Sequence, residues 1–437
     1  MSEMNTPIDL GSWEEYQENY PKSKLHRLPD FPVPSRYEND YNGYLKVLAF
    51  EGAVKRYGVP LPRKVTERLE SELLEIRSED NERFFLIISD MIQEVKRMGF
   101  FVEYDGSFKD FLLCYVLNMN DIDPLKYGLS NILGSPINTI FFSVGGKAKV
   151  MEYLIKKYGT ESIWHTAAHS DNRTTSIDPS SIAIVSKTLK SFFPVLFSKK
   201  EEREVCLIQR NTLERLGLPM FRLFDLNKNT FLSSQIIKNR SIKLDLTSIP
   251  LNDSRFLEDV VSEKATDFDP LVQKLVIQLQ PTTIEHLAVL FSMPSHKMQV
   301  KLLKYIALKN GTKPVKYLLP EMESILGETY GLIIYREQLM LLAQKLANFS
   351  KNDSGEFYKN IRFKPIQNQF IEGCVANGYS LKVCEKIIKK IGKEGYPVWS
   401  KYRAVLQAAT AYQMMWLKAH YPEEFNNEIN KQNKEEI

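Results

Sequence analysis

No apolar run in the 437-residue chain approaches the roughly 20 residues of a membrane-spanning helix. The opening Met1-Ser-Glu-Met-Asn-Thr-Pro7 lacks both the basic and the apolar stretch of a secretory signal, which argues against membrane insertion and export. Cysteine is scarce. Cys114, Cys206, Cys374 and Cys384 form no closely spaced pair, which argues against a disulfide framework and for buried free thiols in a reducing cytoplasm. Internal repeats and low-complexity tracts are absent as well, so neither a solenoid nor a long disordered tail is expected.

What is there is an ordinary globular composition, 43% hydrophobic and 26% charged, in a chain long enough for two or three cores. The net charge of +4 conceals an asymmetry: Lys297 to Arg403 holds 19 Lys and Arg against 9 Asp and Glu, and the remainder is net acidic. A basic carboxy-terminal half suits a polyanion, most simply nucleic acid, with solvated helix faces as the alternative.

Residues 1–40, rich in Pro, Asn and Tyr, suggest an extended leader. Helices are predicted from Tyr41 onward, with one apolar stripe on Leu69, Leu73 and Ile76 and another on Phe84, Ile88, Met91 and Val95. Phe100–Tyr104 predicts a strand ending at a turn on Asp105-Gly106, and Phe108–Leu117 a helix. A second strand over 137–142 leads into a helix carrying Val150, Leu154 and Tyr158; 159–200 is mixed and Ser/Thr-rich. Val205–Gln209 and Met220–Leu226 are further strands around a small helix, Thr212–Leu216. After about residue 230 the pattern is helical, as in Tyr335, Leu339, Leu342 and Leu346. A small mixed α/β unit followed by an all-helical one results.

Three carboxy-terminal runs, Glu328-Thr-Tyr-Gly-Leu-Ile-Ile-Tyr-Arg-Glu-Gln-Leu-Met-Leu-Leu-Ala-Gln344, Phe370-Ile-Glu-Gly-Cys-Val-Ala-Asn-Gly378 and Ala411-Tyr-Gln-Met-Met-Trp-Leu-Lys-Ala-His-Tyr-Pro-Glu-Glu-Phe425, resemble successive fingers segments of the bacterial DNA polymerase III α subunit, the C-family replicative polymerase. Leu28-Pro-Asp-Phe-Pro-Val-Pro34, Glu51-Gly52, Arg56-Tyr-Gly58, Asp121-Ile-Asp-Pro-Leu-Lys-Tyr-Gly-Leu129 and Thr212-Leu-Glu-Arg-Leu-Gly-Leu218 are similar to its palm. The likeness covers roughly 27–428; no counterpart of the family's phosphoesterase-like domain, helix-hairpin-helix pair, clamp-binding motif or OB domain is expected here.

The resemblance implies an α+β fold: a nucleotidyltransferase-like mixed palm with a reduced thumb, then a mostly α-helical fingers domain. The expected boundaries are a leader at 1–40, palm at 41–158, thumb-like insert at 159–200, last palm strands at 201–230, truncated fingers at 231–428 and a polar tail at 429–437. Nucleotide addition of this kind uses two Mg²⁺ ions, which need carboxylates alternating on a strand so that they share one face. In register from Pro136, the family's three strand aspartates fall on Ile137, Thr139 and Phe141, of which the latter two match metal ligands. The further metal aspartate falls on Phe224, with Asp225 adjacent but one residue out of phase. The metal site is thus expected to be lost, with no cofactor, or Mg²⁺ if displaced ligands serve.

The triphosphate-gripping turn reads Tyr104-Asp-Gly-Ser107, with Asp105 at the family's Arg, leaving Gly106 and Ser107 as weak nucleotide contacts or a plain structural turn. Met293 stands at another family Arg. Lys359, Arg362, Lys364, Lys401 and Arg403, with Tyr396 and Trp399 for stacking, remain as DNA-binding candidates. His165 and His169 have i, i+4 spacing without a third ligand, and Asp121 and Asp123 are capping and turn residues. The implied function is a catalytically inactive polymerase III α-like protein of a bacterial or phage-infected cytoplasm. It would bind primed or single-stranded DNA, a replisome protein, or both, and no membrane. The alternatives are an active polymerase with displaced ligands and a structural subunit that does not bind DNA.

Overall fold

The computed structural model describes residues 27–38, 40–129, 138–143, 145–171, 174–198, 203–225, 270–293, 299–394, 398–424 and 426–427. It is a mixed α+β structure of two compact units, Met1–Leu125 with Gly134–Ser234, and Lys126–Leu133 with Gln235–Ile437. No helix among the described residues is long and apolar enough to cross a membrane.

In the first unit, α1 (Tyr41–Tyr57), α2 (Arg63–Ser78) and α3 (Glu82–Arg97) precede β1 (Val102–Asp105), followed by α4 (Leu112–Val116), β2 (Asn138–Phe142) and α5 (Gly146–Tyr158). Asp40 caps α1 by accepting from Gly43 N–H at 2.8 Å. The stripes Leu69, Leu73, Ile76 and Phe84, Ile88, Met91, Val95 are buried, as their spacing predicts. The helix expected over Phe108–Leu117 is confined to α4.

β3 (Ile163–Asp171), β4 (Thr174–Ile184), β5 (Val195–Ser198), β6 (Arg203–Gln209), α6 (Arg210–Arg215) and β7 (Met220–Asp225) complete the unit. The strands form one seven-stranded sheet, ordered β1-β2-β7-β4-β3-β6-β5, in which β2–β7 and β3–β6 are parallel. Residues 159–200 therefore contribute three strands to this sheet. Their Ser/Thr-rich sequence carries little period-2 signal, because register shifts interrupt the alternation where β3 pairs with β4.

Directly paired residues share a sheet face, so the registers sort the side chains. Val102, Tyr104, Ile140, Phe142, Ile182, Phe221 and Leu223 point inward to a core shared with residues of α1–α5. On the outward face, Trp164, Ala183, Cys206 and Met220 join a smaller core with Leu213 and Leu216.

The second unit contains α7 (Pro270–Leu279), α8 (Ile284–Phe291), α9 (Gln299–Lys309), α10 (Arg336–Ala347), α11 (Lys351–Asn360), α12 (Lys364–Ala376), α13 (Leu381–Glu394) and α14 (Lys401–His420). Leu339, Leu342 and Leu346 of α10 pack with Phe357, Phe370, Ile387 and Ile391. Gln338 Oε1 accepts from Ile334 and Tyr335 N–H at 2.8 and 3.0 Å, setting the start of α10. Cys374 and Cys384, ten residues apart in sequence, are both buried in this core as free thiols.

His286 on α8 accepts at Nδ1 from Thr282 N–H at 3.2 Å. Burial, reinforced by Lys309, pushes its imidazole down to about 4. The unfolded chain, with a histidine value near 6.5, binds more protons between those values, so stability falls as pH drops from about 6.5 towards about 4. Melting temperature against pH should show this slope, and His286→Asn should flatten it; an equal slope in the variant would rule the residue out.

Candidate functional site

Where β1, β2 and β7 run side by side, the registers lay out two rows on the outward face. The first is Asp105–Thr139–Arg222, continued onto β4 by Ser181; the second is Glu103–Phe141–Phe224. Thr139, Phe141, Arg222 and Phe224 are half-buried. The Phe141 and Phe224 rings stack, with centroids 5.8 Å apart and planes 25° apart. Asp225 pairs with Phe142, so its side chain belongs to the opposite face, and the one-residue offset is not corrected by a bulge. Ile137 lies outside the described residues.

The turn after β1 is built around close approaches. Tyr104 is fully buried and donates its hydroxyl to Asn138 Oδ1 at 2.9 Å. A Cβ on Gly106 would lie 2.1 Å from that hydroxyl, which explains the glycine without a bound phosphate. Asp105 and Lys109, only 5% and 3% exposed, form an ion pair across one turn. Lys109 thus returns a cation beside the carboxylate that stands at the expected arginine. Ser107 sits half-buried in the same turn.

In the helical unit, Lys359, Arg362 and Lys364 are exposed along the α11–α12 corner. Lys359 pairs with Glu356 at 2.8 Å. Between the other two stands Phe363, 64% exposed, an aromatic the sequence reading passed over; its signal was an apolar residue flanked by Arg and Lys just before a Pro-started helix. Arg403 is exposed on α14 and Trp399 half-buried. Lys401 is turned inward: Nζ pairs with Glu328 at 2.6 Å and donates to the Gly128 carbonyl at 3.3 Å. Its charge is therefore neutralised within the unit. Tyr396 lies outside the described residues.

Two family models match the chain: the bacterial DNA polymerase III alpha NTPase domain over residues 43–172 and the finger domain of the same subunit over 230–378. Among curated proteins, the DNA polymerase III subunit alpha of Halalkalibacterium halodurans is 25% identical over 91% of this chain and 44% of its own length. Those of Aquifex aeolicus and Bacillus subtilis are 23% and 24% identical over 92% and 91% of this chain, and 45% and 43% of their own. This is a DNA polymerase III α-like protein. It spans less than half the length of those relatives.

The polymerase III α-like assignment makes the fit of a metal pair testable on the residues present. Hard divalent cations take oxygen anions. Thr139 offers one neutral hydroxyl, and Phe141 and Phe224 offer hydrocarbon rings in contact with each other. Among the described residues, no group of three or more His, Cys, Asp and Glu converges to hold an ion. The aligned positions therefore do not fit Mg²⁺. Met293, at the other expected arginine, is buried after α8.

The remaining candidates resolve on geometry. His165 and His169 both lie in β3, not in a helix, so their i, i+4 spacing does not stack them on one helical face. His165 Nε2 instead lies 3.2 Å from Arg203 Nη1. Asp121 pairs with Lys96 and Arg56 at 3.6 and 3.8 Å, and Asp123 accepts from Leu125 N–H at 2.8 Å, as turn residues do.

Proposed function

We propose that this chain is a catalytically silent polymerase III α-like protein that binds DNA, a replisome component, or both, and regulates, decoys or scaffolds replication. In this reading the sheet unit corresponds to the palm, with 159–200 standing in for a thumb, and the helical unit to truncated fingers. The stacked Phe141–Phe224 pair carries the reading, because it fills with hydrocarbon the positions where metal-binding carboxylates align. Lys359, Arg362 and Lys364, on an exposed helical corner, supply the DNA contact.

One observation favours an active polymerase with displaced ligands: Glu103 and Asp105 are carboxylates at i and i+2 on β1, facing the same way as Thr139 and Phe141. Against it, Asp105 is engaged by Lys109. Primer extension with Mg²⁺ or Mn²⁺ is expected to give no product; extension abolished by Asp105→Asn would establish the second reading instead. Binding to primed DNA should weaken with salt. Neutralising Lys359, Arg362 and Lys364 together should lower the log–log salt slope by about 2 to 3. A flat response in the parent chain would favour a structural subunit without DNA contact.

A further inference from the structure

In the helical unit, three lysines crowd one glutamate. Glu394 closes α13, and its carboxylate takes Lys304 of α9 at 2.8 Å and Lys390 of α13 at 3.0 Å. Lys301, one turn before Lys304 on α9, meets the main chain of the same residue, its Nζ donating to the Glu394 carbonyl at 2.5 Å. That carbonyl is among those a helix leaves unpaired at its end. Lys301 forms no ion pair among the described residues, so the cluster sets three cations against a single anion.

Lys301 is thus half-buried beside two other ammonium groups, and both conditions favour its neutral amine. Burial first, then Lys390 and Lys304, push the amine down to about 8, against the pull of Glu394. Near neutral pH it offers roughly a hundredfold more free amine than a lysine at the ordinary value near 10.4. Lys304, with 47% of its side chain exposed, keeps donors that Glu394 does not use, since an ammonium has three. A nucleophilic amine beside a solvent-facing cation suits an electrophile with an anionic leaving group. The amine attacks, and the cation steadies the charge that departs.

We propose that Lys301 is an acylation site for acyl phosphates, with Lys304 receiving the phosphate leaving group. The amine nitrogen attacks the acyl carbon, and a C–N bond forms as the bond from that carbon to the phosphate oxygen breaks. Phosphate leaves with the electron pair and takes up the proton that nitrogen loses; nothing is oxidised or reduced. The product amide is uncharged and keeps one N–H, so the tie from α9 to the end of α13 loses its charge. This chemistry is independent of whether the chain binds DNA or extends a primer.

The test incubates the full chain with acetyl phosphate across a pH series and reads each site by peptide mass spectrometry. Near neutral pH, Lys301 should acetylate about 10-fold faster than the exposed Lys382 and Lys386 of α13. Its rate should level off above about 8, whereas the exposed lysines keep accelerating towards about 10.4. Reaction through transient unfolding would follow that ordinary profile, so the plateau belongs to the folded site. Lys304→Gln, a change at an exposed position, should slow acetyl phosphate at Lys301 by about 5-fold or more. An uncharged acetyl ester, which needs the free amine but no seat for phosphate, should slow by no more than about 2-fold in the same variant. A Lys301 rate no higher than that of Lys382, a profile that climbs steadily to about 10.4, or an equal loss with both reagents in Lys304→Gln each overturns the proposal.

Discussion

Glu72→Ala should destabilise the sheet unit by about 3–5 kcal/mol, the range for breaking a buried ion pair from one side. Glu72 lies on α2 with no solvent exposure. Its two carboxylate oxygens accept from Leu112 and Leu113 N–H, each at 2.9 Å, and from Arg68 at 2.5 Å. The carboxylate thus caps α4 from another helix, satisfying amides that so short a helix leaves unpaired. Burial pushes its carboxyl up, against the pull of Arg68 and the two amides. An ordinary cap is worth about 1 kcal/mol, so a loss near that figure would mean capping alone. Urea unfolding measures the total, and hydrogen exchange of residues 108–117 reports the local part. Unchanged protection there would show that α4 does not depend on Glu72. Glu72→Gln, which keeps one acceptor, should fall between parent and Ala variant.

The second large effect is expected at Lys109. Lys109→Met leaves Asp105 buried without its cation and should cost about 3–5 kcal/mol, whereas Asp105→Asn with Lys109→Met should recover most of it. The pair ties the turn after β1 to the segment entering α4, and Asn120 Nδ2 donates to the Lys109 carbonyl at 2.8 Å. A double-mutant cycle in urea gives the coupling. Additive losses would mean that the two charges act independently, and the account of Asp105 as a neutralised residue would fail. The cycle also bears on function, because an Asp105 released from Lys109 is the carboxylate that a displaced-ligand polymerase would need.

Much of the helical architecture was legible in sequence. Leu69, Leu73 and Ile76 lie on one face because helical spacing stacks them, and that spacing is local. The strands around Tyr104, Ile140 and Phe221 were legible as well, being short apolar runs bounded by turns. β3, β4 and β5 were not, because register shifts interrupt the alternation between β3 and β4, and β5 is a four-residue edge strand that is not buried. Lys401 was legible as a cation but not as an ion-paired one: Glu328, 73 residues earlier, takes up its charge. Phe363 shows the converse, an apolar residue that composition assigns to the core and the chain leaves in solvent.

Residue identity alone determined that Thr139, Phe141 and Phe224 carry no carboxylate, since no conformation turns a phenyl ring into an oxygen anion. Identity and periodicity also separated an acidic α/β half from a basic helical one. Only the tertiary structure decided that the two phenyl rings meet, that Asp225 faces the other way, and that Arg222 Nε is buried without a hydrogen-bond partner among the described residues. Those facts depend on strand register, and register is set by pairing between segments some 80 residues apart, which no local pattern encodes.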